Sequence, residues 1–532
     1  MAAVAQLVEP SVVVRVVAGS SPVGRPSLHE RMSNFPFDSY TWNRQAVLTC
    51  AEMRRAEEFA YAHGVPTFNL MRHAGEAVAK AIRQKWKPCR VLVLCGPGNN
   101  GGDGFVAAEF LRAEGWNVTV AAMRVPKDLK GDAVQAAQAW QGKTITLDKV
   151  SLGEHDLVID ALFGTGLMRP VDGVARALIE KLAQAKIPVI AADLPSGING
   201  DTGAILGAAP QAALTVTFFH RKIGHLLLPG APLCGPITVA DIDIPAEALD
   251  EINPQTAEND ADLWIARFPF PKPETHKYLR GHALINGGAA MTGAARLAAR
   301  AAQRIGVGLV TVAAPQNAVP IYASALESAI VRSADRIDEW QDLLADSKRN
   351  AILIGPGLGL GARERKFVLA ALAMNKPCVL DADALSNFAA QPDDLFSKLH
   401  EHCVLTPHEG EFARLFGSRI DAGADKLTRA RQAAALTGCI VLLKGADTVI
   451  ADPDGYAVVN TNAPPWLAVA GAGDVLAGMI LGLLAQNMPP FAATTAAAWI
   501  HGEAAKRFGP GMIAEDLIAG IPALLKGLSE SA

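Results

Sequence analysis

The run Arg90–Cys95 turns apolar after its first residue and breaks at once into Gly96-Pro97-Gly98-Asn99-Asn100-Gly101-Gly102-Asp103-Gly104. A buried strand that ends in glycine and opens a helix is the unit of a parallel sheet covered on both faces. The unit recurs along the chain. Residues 105–114 are predicted as a helix, Asn117–Ala122 as a strand, 156–160 as a strand, 173–183 as a helix and 188–192 as a strand. Upstream, Thr49 and Glu52 form a capping-box pair that starts a helix reaching about His63. A second helix is expected over residues 69–86. The pattern breaks between Pro245 and Pro273, where Ile252-Asn253-Pro254-Gln255 and Pro269-Phe270-Pro271-Lys272-Pro273 have linker composition. A second series follows. Its strands are His282–Asn286, 309–313, Ala351–Ile354, 379–382, 404–406 and Ile440–Leu443, and two long helices over 474–486 and 492–508 close it. The expectation is an α/β chain of two three-layer domains, residues 41–250 and 274–530, joined by a linker at 251–273.

The length of 532 residues agrees, because one core rarely serves more than about 250–300. Charged residues make up 19% and the net charge is −4, which argues against a nucleic-acid surface. No uncharged apolar run reaches the roughly 18 residues that would span a membrane. Seven cysteines lie scattered at 50, 89, 95, 234, 378, 403 and 439, with no Cys-x-x-Cys pair and no zinc spacing. They read as reduced thiols in a cytoplasmic protein. The first residues, with a valine-rich stretch broken by Arg15, lack both a signal-peptide pattern and a buried face. Residues 1–40 are therefore expected to be a disordered or spurious extension, with Met32 as an alternative start.

Three strand ends in the first half are polar and glycine-rich. Beside the Asn99–Asp103 run, Asp160 closes a strand ahead of Gly164-Thr165-Gly166-Leu167-Met168-Arg169-Pro170. Asp193 closes the next, ahead of Leu194-Pro195-Ser196-Gly197. Ligands of parallel sheets bind outside the carboxyl ends of the strands, so these ends can line one crevice. The glycines are expected to give the first loop left-handed conformations and a close approach to a ligand, and the helix after it offers free N–H groups to a phosphate. Asn100, Asp160 and Ser196 supply only oxygens, which suits a group 1 or 2 cation rather than zinc. Each strand-end aspartate taken alone could instead be a helix cap.

These residues resemble the NAD(P)H-hydrate epimerase domain, in Asn99-Asn100-Gly101-Gly102-Asp103-Gly104, the Gly164–Pro170 run, Asp193-Leu194-Pro195-Ser196-Gly197, Asn199-Gly200-Asp201-Thr202-Gly203 and His220-Arg221-Lys222-Ile223-Gly224. The resemblance implies a Rossmann-like domain that interconverts the R and S epimers of hydrated NADH and NADPH (NADHX and NADPHX). It implies that Asn99, Asn100, Gly101, Gly102, Asp103, Gly164, Thr165, Gly166, Leu167, Met168, Arg169, Pro170 and Asp193 contact substrate. Asn100, Asp160 and Ser196 would hold potassium (K+), and Asp193 would be the catalytic acid/base.

In the second half, Val469-Ala470-Gly471-Ala472-Gly473-Asp474 leads into an apolar helix expected from about Val475. Exposed N–H groups at such a start can form a hole for a transferring phosphoryl group, and Asp474 beside it can accept a hydroxyl proton. Lys444-Gly445-Ala446-Asp447-Thr448 ends a strand with groups suited to phosphates. Thr406-Pro407-His408-Glu409-Gly410-Glu411 ends another, where a lone histidine is usually structural but here adjoins the ligand edge. With Gly355-Pro356-Gly357, Asp381-Ala382-Asp383 and Met291-Thr292-Gly293-Ala294-Ala295, these resemble the ribokinase-like fold and, within it, the ADP- or ATP-dependent NAD(P)H-hydrate dehydratases. The resemblance implies that Ala294, Gly357, His408 and Asp474 contact the hydrated cofactor. Lys444, Gly445, Ala446, Asp447, Thr448 and Gly473 would contact the adenine nucleotide, with ADP as co-substrate, magnesium (Mg2+) required and Asp474 as base. Ala472 stands where these enzymes usually carry serine or threonine, and residues 460–467 depart from their usual approach to the loop.

The small molecules NADHX, NADPHX and ADP are thus the expected partners of a homo-oligomer, with neither nucleic acid nor membrane. Two other readings are weighed: a vitamin or sugar kinase with an appended regulatory domain, and a first domain that only binds. Asp193, Asn100 and Asp160 are all retained, which speaks against a mere binding scaffold.

Overall fold

The computed structural model describes residues 37–124 and 126–531; the expectations for residues 1–36 lie outside them. The first sheet has seven strands: β1 Arg90–Cys95, β2 Asn117–Ala122, β3 Lys143–Thr146, β4 Leu157–Ala161, β5 Val189–Ala192, β6 Leu214–Phe218 and β7 Ile237–Ala240. Their spatial order is β3-β2-β1-β4-β5-β6-β7, and every pairing is parallel. The chain reverses direction across the sheet between β1 and β4, the position where such sheets open a crevice. Alternation along β1 explains why the strand is apolar from Val91 onward. Val91, Val93 and Cys95 face one core with Val78, Ile82 and Phe105, while Leu92 and Leu94 face the other with Leu178 and Ile179. Each such fully buried side chain contributes about 1.5–3 kcal/mol.

The second sheet has ten strands: β8 Thr256–Glu258, β9 His282–Asn286, β10 Leu309–Ala314, β11 Ile330–Ser333, β12 Ala351–Ile354, β13 Cys378–Leu380, β14 Cys403–Leu405, β15 Ile440–Leu443, β16 Thr448–Ala451 and β17 Ala457–Asn460. The order is β8-β17-β16-β15-β14-β13-β12-β9-β10-β11, parallel except for the antiparallel pairs β15–β16 and β16–β17. Its direction reverses between β9 and β12, whose ends lead into Gly287-Gly288 and Gly355–Gly359. The helix Ala472–Ala485 lies close against Thr292–Arg304, because a side chain at Gly478 would collide with the Ala298 backbone. Among the described residues no helix is long and apolar enough to cross a membrane, and all seven cysteines are unpaired.

The two-domain α/β architecture is as expected, and four local readings change. A short helix, Ser39–Arg44, already precedes the helix that Thr49 and Glu52 start. Phe37 stacks on Trp42 and meets Phe491 edge-on, and the Trp42 indole donates to Pro254 O at 2.7 Å. The stretch read as a linker holds β8, which extends the second sheet, and the Asn259 amide, which donates to Asn460 Oδ1 and Thr495 O. The glycine-rich run after β1 is mostly helix: the helix spans Asn99–Ala113 with Gly98 as its cap. None of Gly96, Gly98, Gly101, Gly102 or Gly104 has a positive φ. Their use is close packing, since a side chain at Gly96 would strike Leu162 O and one at Gly101 would strike Gly96 O. Likewise the helix before the second site starts at Ala472, not Val475, with Gly471 as a left-handed cap at φ 85°.

Candidate active sites

The β1/β4 switch point opens into a cleft of about 370 Å³. The helix start at Gly98, Asn99, Asn100 and Asp103 forms one wall, and the loop Leu162–Leu167 after β4 forms another. Asp193 follows β5 in the left-handed region, at φ 66°, and this aims its carboxylate into the cleft. The carboxylate is tightly held. Its Oδ1 accepts from Thr217 Oγ1 and Lys222 Nζ, each at 2.9 Å, and its Oδ2 from the Thr165 N–H at 3.3 Å. Lys222 is itself buried and also donates to Phe218 O at 3.0 Å. Burial raises the proton affinity of Asp193, but the charge and hydrogen bonds of Lys222 outweigh it and leave the pKa below its ordinary value. Behind it, His225 Nδ1 accepts the Lys222 N–H at 2.8 Å, so Nε2 carries the proton donated to Asp193 O at 2.8 Å. Burial, aided by Lys222, lowers that imidazole to about 4 and keeps it neutral.

A second polar cluster lies beside it. Asp160 is buried, and accepts from Ser196 Oγ at 2.6 Å, Ser196 N at 2.8 Å and Leu162 N at 3.3 Å. Burial raises its pKa despite these bonds. The Asn100 amide is buried, and neither its oxygen nor its nitrogen has a partner. A side chain at Gly164 would come within about 3 Å of both Asn100 and Asp193, so glycine keeps this space open. Thr165, Gly166 and Leu167 line the cleft, whereas Met168 is exposed and Arg169 and Pro170 lie outside the lining.

The second domain has two openings at the carboxyl edge of its sheet. The larger, about 450 Å³, is lined by His408, Lys444, Gly445, Ala446, Thr448, Gly473 and an apolar wall that includes Pro464, Leu467 and Val469. The departing segment at 460–467 thus supplies much of that wall. The smaller, about 200 Å³, lies at the β9/β12 switch and includes Gly288 and Gly357. Ala294 is buried in the first turn of the helix beside it and lines neither opening. Lys444 Nζ bonds Asp381 Oδ1 at 2.8 Å, and Thr406 Oγ1 donates to the same oxygen at 2.8 Å. Asp474, third in its helix, is therefore not the carboxylate that Lys444 binds. Burial chiefly raises it to about 6; Asp381 adds to this, Lys444 opposes it and Asp383 adds a little. His408 has a structural task as well as a cleft position: its Nδ1 accepts the Gly410 N–H at 2.9 Å and caps the helix Glu409–Phe416. Asp447 turns away from the larger cleft. Its Oδ1 accepts from Lys426 Nζ at 2.7 Å and its Oδ2 from the Leu228 N–H at 3.0 Å, tying the Lys444–Thr448 loop to the first domain.

Residues 67–224 match the family described as YjeF-related protein N-terminus, and residues 282–522 match NAD(P)H-hydrate dehydratase. The chain is 36% identical over 517 residues to the bifunctional NAD(P)H-hydrate repair enzyme Nnr of Salinibacter ruber, covering 90% of this chain and 95% of that protein. The chain belongs to the bifunctional NAD(P)H-hydrate repair enzyme family. The Nnr of Escherichia coli K12 is 35% identical over 489 residues, with 88% of this chain and 92% of that one covered. Among solved structures, an ADP/ATP-dependent NAD(P)H-hydrate dehydratase from Bacillus subtilis is 29% identical, with a TM-score of 0.44, covering 51% of this chain and 98% of that one.

Within this family framework, sequence reasoning left four cleft groups without a role. Lys222 lay in a quoted motif, yet nothing in His220-Arg221-Lys222 distinguishes it from Arg221, which pairs instead with Glu258. Glu57, on the helix Cys50–Ala62, enters the first cleft and reads in sequence as one acid of several on a solvated face. Thr217, on β6, is buried like every other residue of its strand, so periodicity does not single it out as a partner of Asp193. His501 lies 29 residues beyond Ala472, lines the larger opening and bonds the Ala472 carbonyl at 2.9 Å, bracing the start of the helix Ala472–Ala485.

Proposed function

We propose that this chain epimerises the R and S forms of NADHX and NADPHX and dehydrates the S form to NADH or NADPH, using ADP as phosphoryl donor and releasing AMP and phosphate. The observation that carries the proposal is family likeness across nearly the whole chain, together with a cation-held aspartate in one cleft and a phosphate-loop aspartate in the other. In the first cleft, the N–H groups opening the helix Asn99–Ala113 suit the substrate's phosphates. Asp193, kept ionised by Lys222, acts as a base at carbon 6, where hydroxyl and ring nitrogen share one carbon.

Asn100, Asp160 and Ser196 fit a potassium ion. The Asn100 oxygen is orphaned, a state costing about 1–3 kcal/mol, and no lysine or arginine offsets the buried Asp160. Potassium would supply positive charge beside an anionic substrate. In the second domain, Asp474 takes the proton of the carbon 6 hydroxyl as that oxygen attacks the terminal phosphorus of ADP and AMP departs. Loss of phosphate from carbon 6 and of a proton from carbon 5 then restores the ring double bond. Among the described residues no group of three or more His, Cys, Asp or Glu is set for a metal. That fits magnesium held mainly by phosphate oxygens and water, neutralising the transferred group. A cytoplasmic homo-oligomer belongs to the same proposal. The test is to supply each separated epimer with ADP and then ATP. Failure to regain reduced nicotinamide, with phosphorylation of a hydroxymethyl vitamin instead, would favour the kinase reading.

A further inference from the structure

Three carboxyls, Glu57, Asp103 and Asp193, line the first cleft with one buried cation, Lys222. Lys222 bonds Asp193, so the cation is committed to the base. Neither Glu57 nor Asp103 has a hydrogen bond from the protein among the described residues. Carbon 6 can lose its stereochemistry by departure of the hydroxyl as water, a route that needs an acid as well as a base. The two unheld carboxyls differ in access. Asp103 is only 8% exposed, in the second turn of its helix. Glu57 is half-buried where the cleft opens. Its helix is fixed by the Thr49–Glu52 capping box, by the Cys50 N–H donating to Asp201 Oδ1 at 2.6 Å, and by the buried Met53, Ala56 and Ala60.

We propose that Glu57 is a second catalytic residue of the first cleft, the acid that protonates the carbon 6 hydroxyl while Asp193 serves as base. This rests on the epimerase reading above. The Glu57 carboxylic acid gives its proton to the hydroxyl oxygen, and the carbon–oxygen bond breaks with its electron pair leaving as water. The ring nitrogen lone pair closes a carbon–nitrogen double bond. Water adds to the opposite face, its electron pair forms the new carbon–oxygen bond and its proton passes to Asp193. Asp193 then loses that proton to cleft water, and Glu57 takes one back from water. The groups facing Glu57 are Asp193, Lys222 and Asp103 across the cleft and Arg54 and Glu58 on its own helix. Burial chiefly, against the pull of Lys222, raises its carboxyl to about 7, so a protonated fraction persists near neutrality.

The test follows epimerisation of the pure R form, resolved by chromatography, in wild type, Glu57→Gln, Glu57→Asp and Asp103→Asn. The wild-type rate is expected to fall as pH rises through about 7. Glu57→Gln should lower kcat by about 100-fold or more with KM little changed and should abolish that alkaline limb, while Glu57→Asp restores part of both. Far-ultraviolet circular dichroism and a thermal melt of the same samples report that the chain is folded, and dehydration of the S form that the second site is intact. A Glu57→Gln variant with wild-type kcat, or with only a raised KM, overturns the proposal, as does an alkaline limb that vanishes in Asp103→Asn instead. If wild type itself leaves the R form unchanged, the epimerase reading fails, a result distinct from any failure of the Glu57 role.

Discussion

The two domains each present an aspartate at a strand end or helix start with a lysine nearby, and they use the lysine differently. In the first cleft Lys222 bonds Asp193, the proposed base, directly and lowers its pKa. In the second, Lys444 bonds Asp381 instead, and Asp474 is left among carboxylates with its pKa raised to about 6. The same residue types therefore give one carboxyl held below its ordinary pKa and one raised to about 6. Which carboxylate the lysine reaches decides the difference: Lys222 bonds Asp193, whose backbone is left-handed, whereas Lys444 bonds Asp381.

The comparison breaks most sharply on paired substitutions. Asp193→Asn is expected to lower epimerisation by about 1,000-fold and to spare dehydration of the S form, and Asp474→Asn to do the reverse, measured on separated epimers. Parallel loss of both activities in either variant would show that the two sites do not work independently. Lys222→Met comes next. It leaves Asp193 buried without its cation, which costs about 3–5 kcal/mol of stability in denaturant titration and moves the acid limb of epimerisation to higher pH. The sign follows from the pairing: Asp193 has its pKa depressed in the folded state, so its stabilisation is present at neutral pH and is lost as pH falls. A smaller effect separates the pH profiles of the unaltered protein. Dehydration should fall as pH drops through about 6, because Asp474 must be ionised to accept a proton, while epimerisation keeps its base below that pH. The smallest change is expected for Asp447→Asn. It keeps an acceptor for the Leu228 N–H but weakens the Lys426 pair, costing about 1–3 kcal/mol, with the ADP Kd changed less than about 3-fold.

The sheets were legible because continuous apolar runs such as β1, β12 and β15 have no other use than burial on both faces. The strand ends that line the clefts followed from that, since a parallel sheet delivers all its carboxyl ends to one edge. The glycine-rich run after β1 misled because glycine was read for its freedom of φ, whereas Gly96 and Gly101 are there so that backbone can touch backbone. Lys222 and Glu57 stayed silent for another reason: their partners lie across the cleft, and Asp193 meets a helix 136 residues earlier only in the fold. Asp447 is the converse. Its place in the nucleotide loop pointed to phosphate, and its partners turn out to be Lys426 and a backbone N–H of the first domain.

The most direct measurement gives pure R-form NADHX and ADP to wild type and to Asp193→Asn, and follows the near-ultraviolet absorbance of reduced nicotinamide. Full recovery by wild type is expected, with none above the spontaneous rate by Asp193→Asn unless the S form is supplied. Equal recovery from the R form by both proteins would contradict the assignment of the first cleft and its lysine-held aspartate.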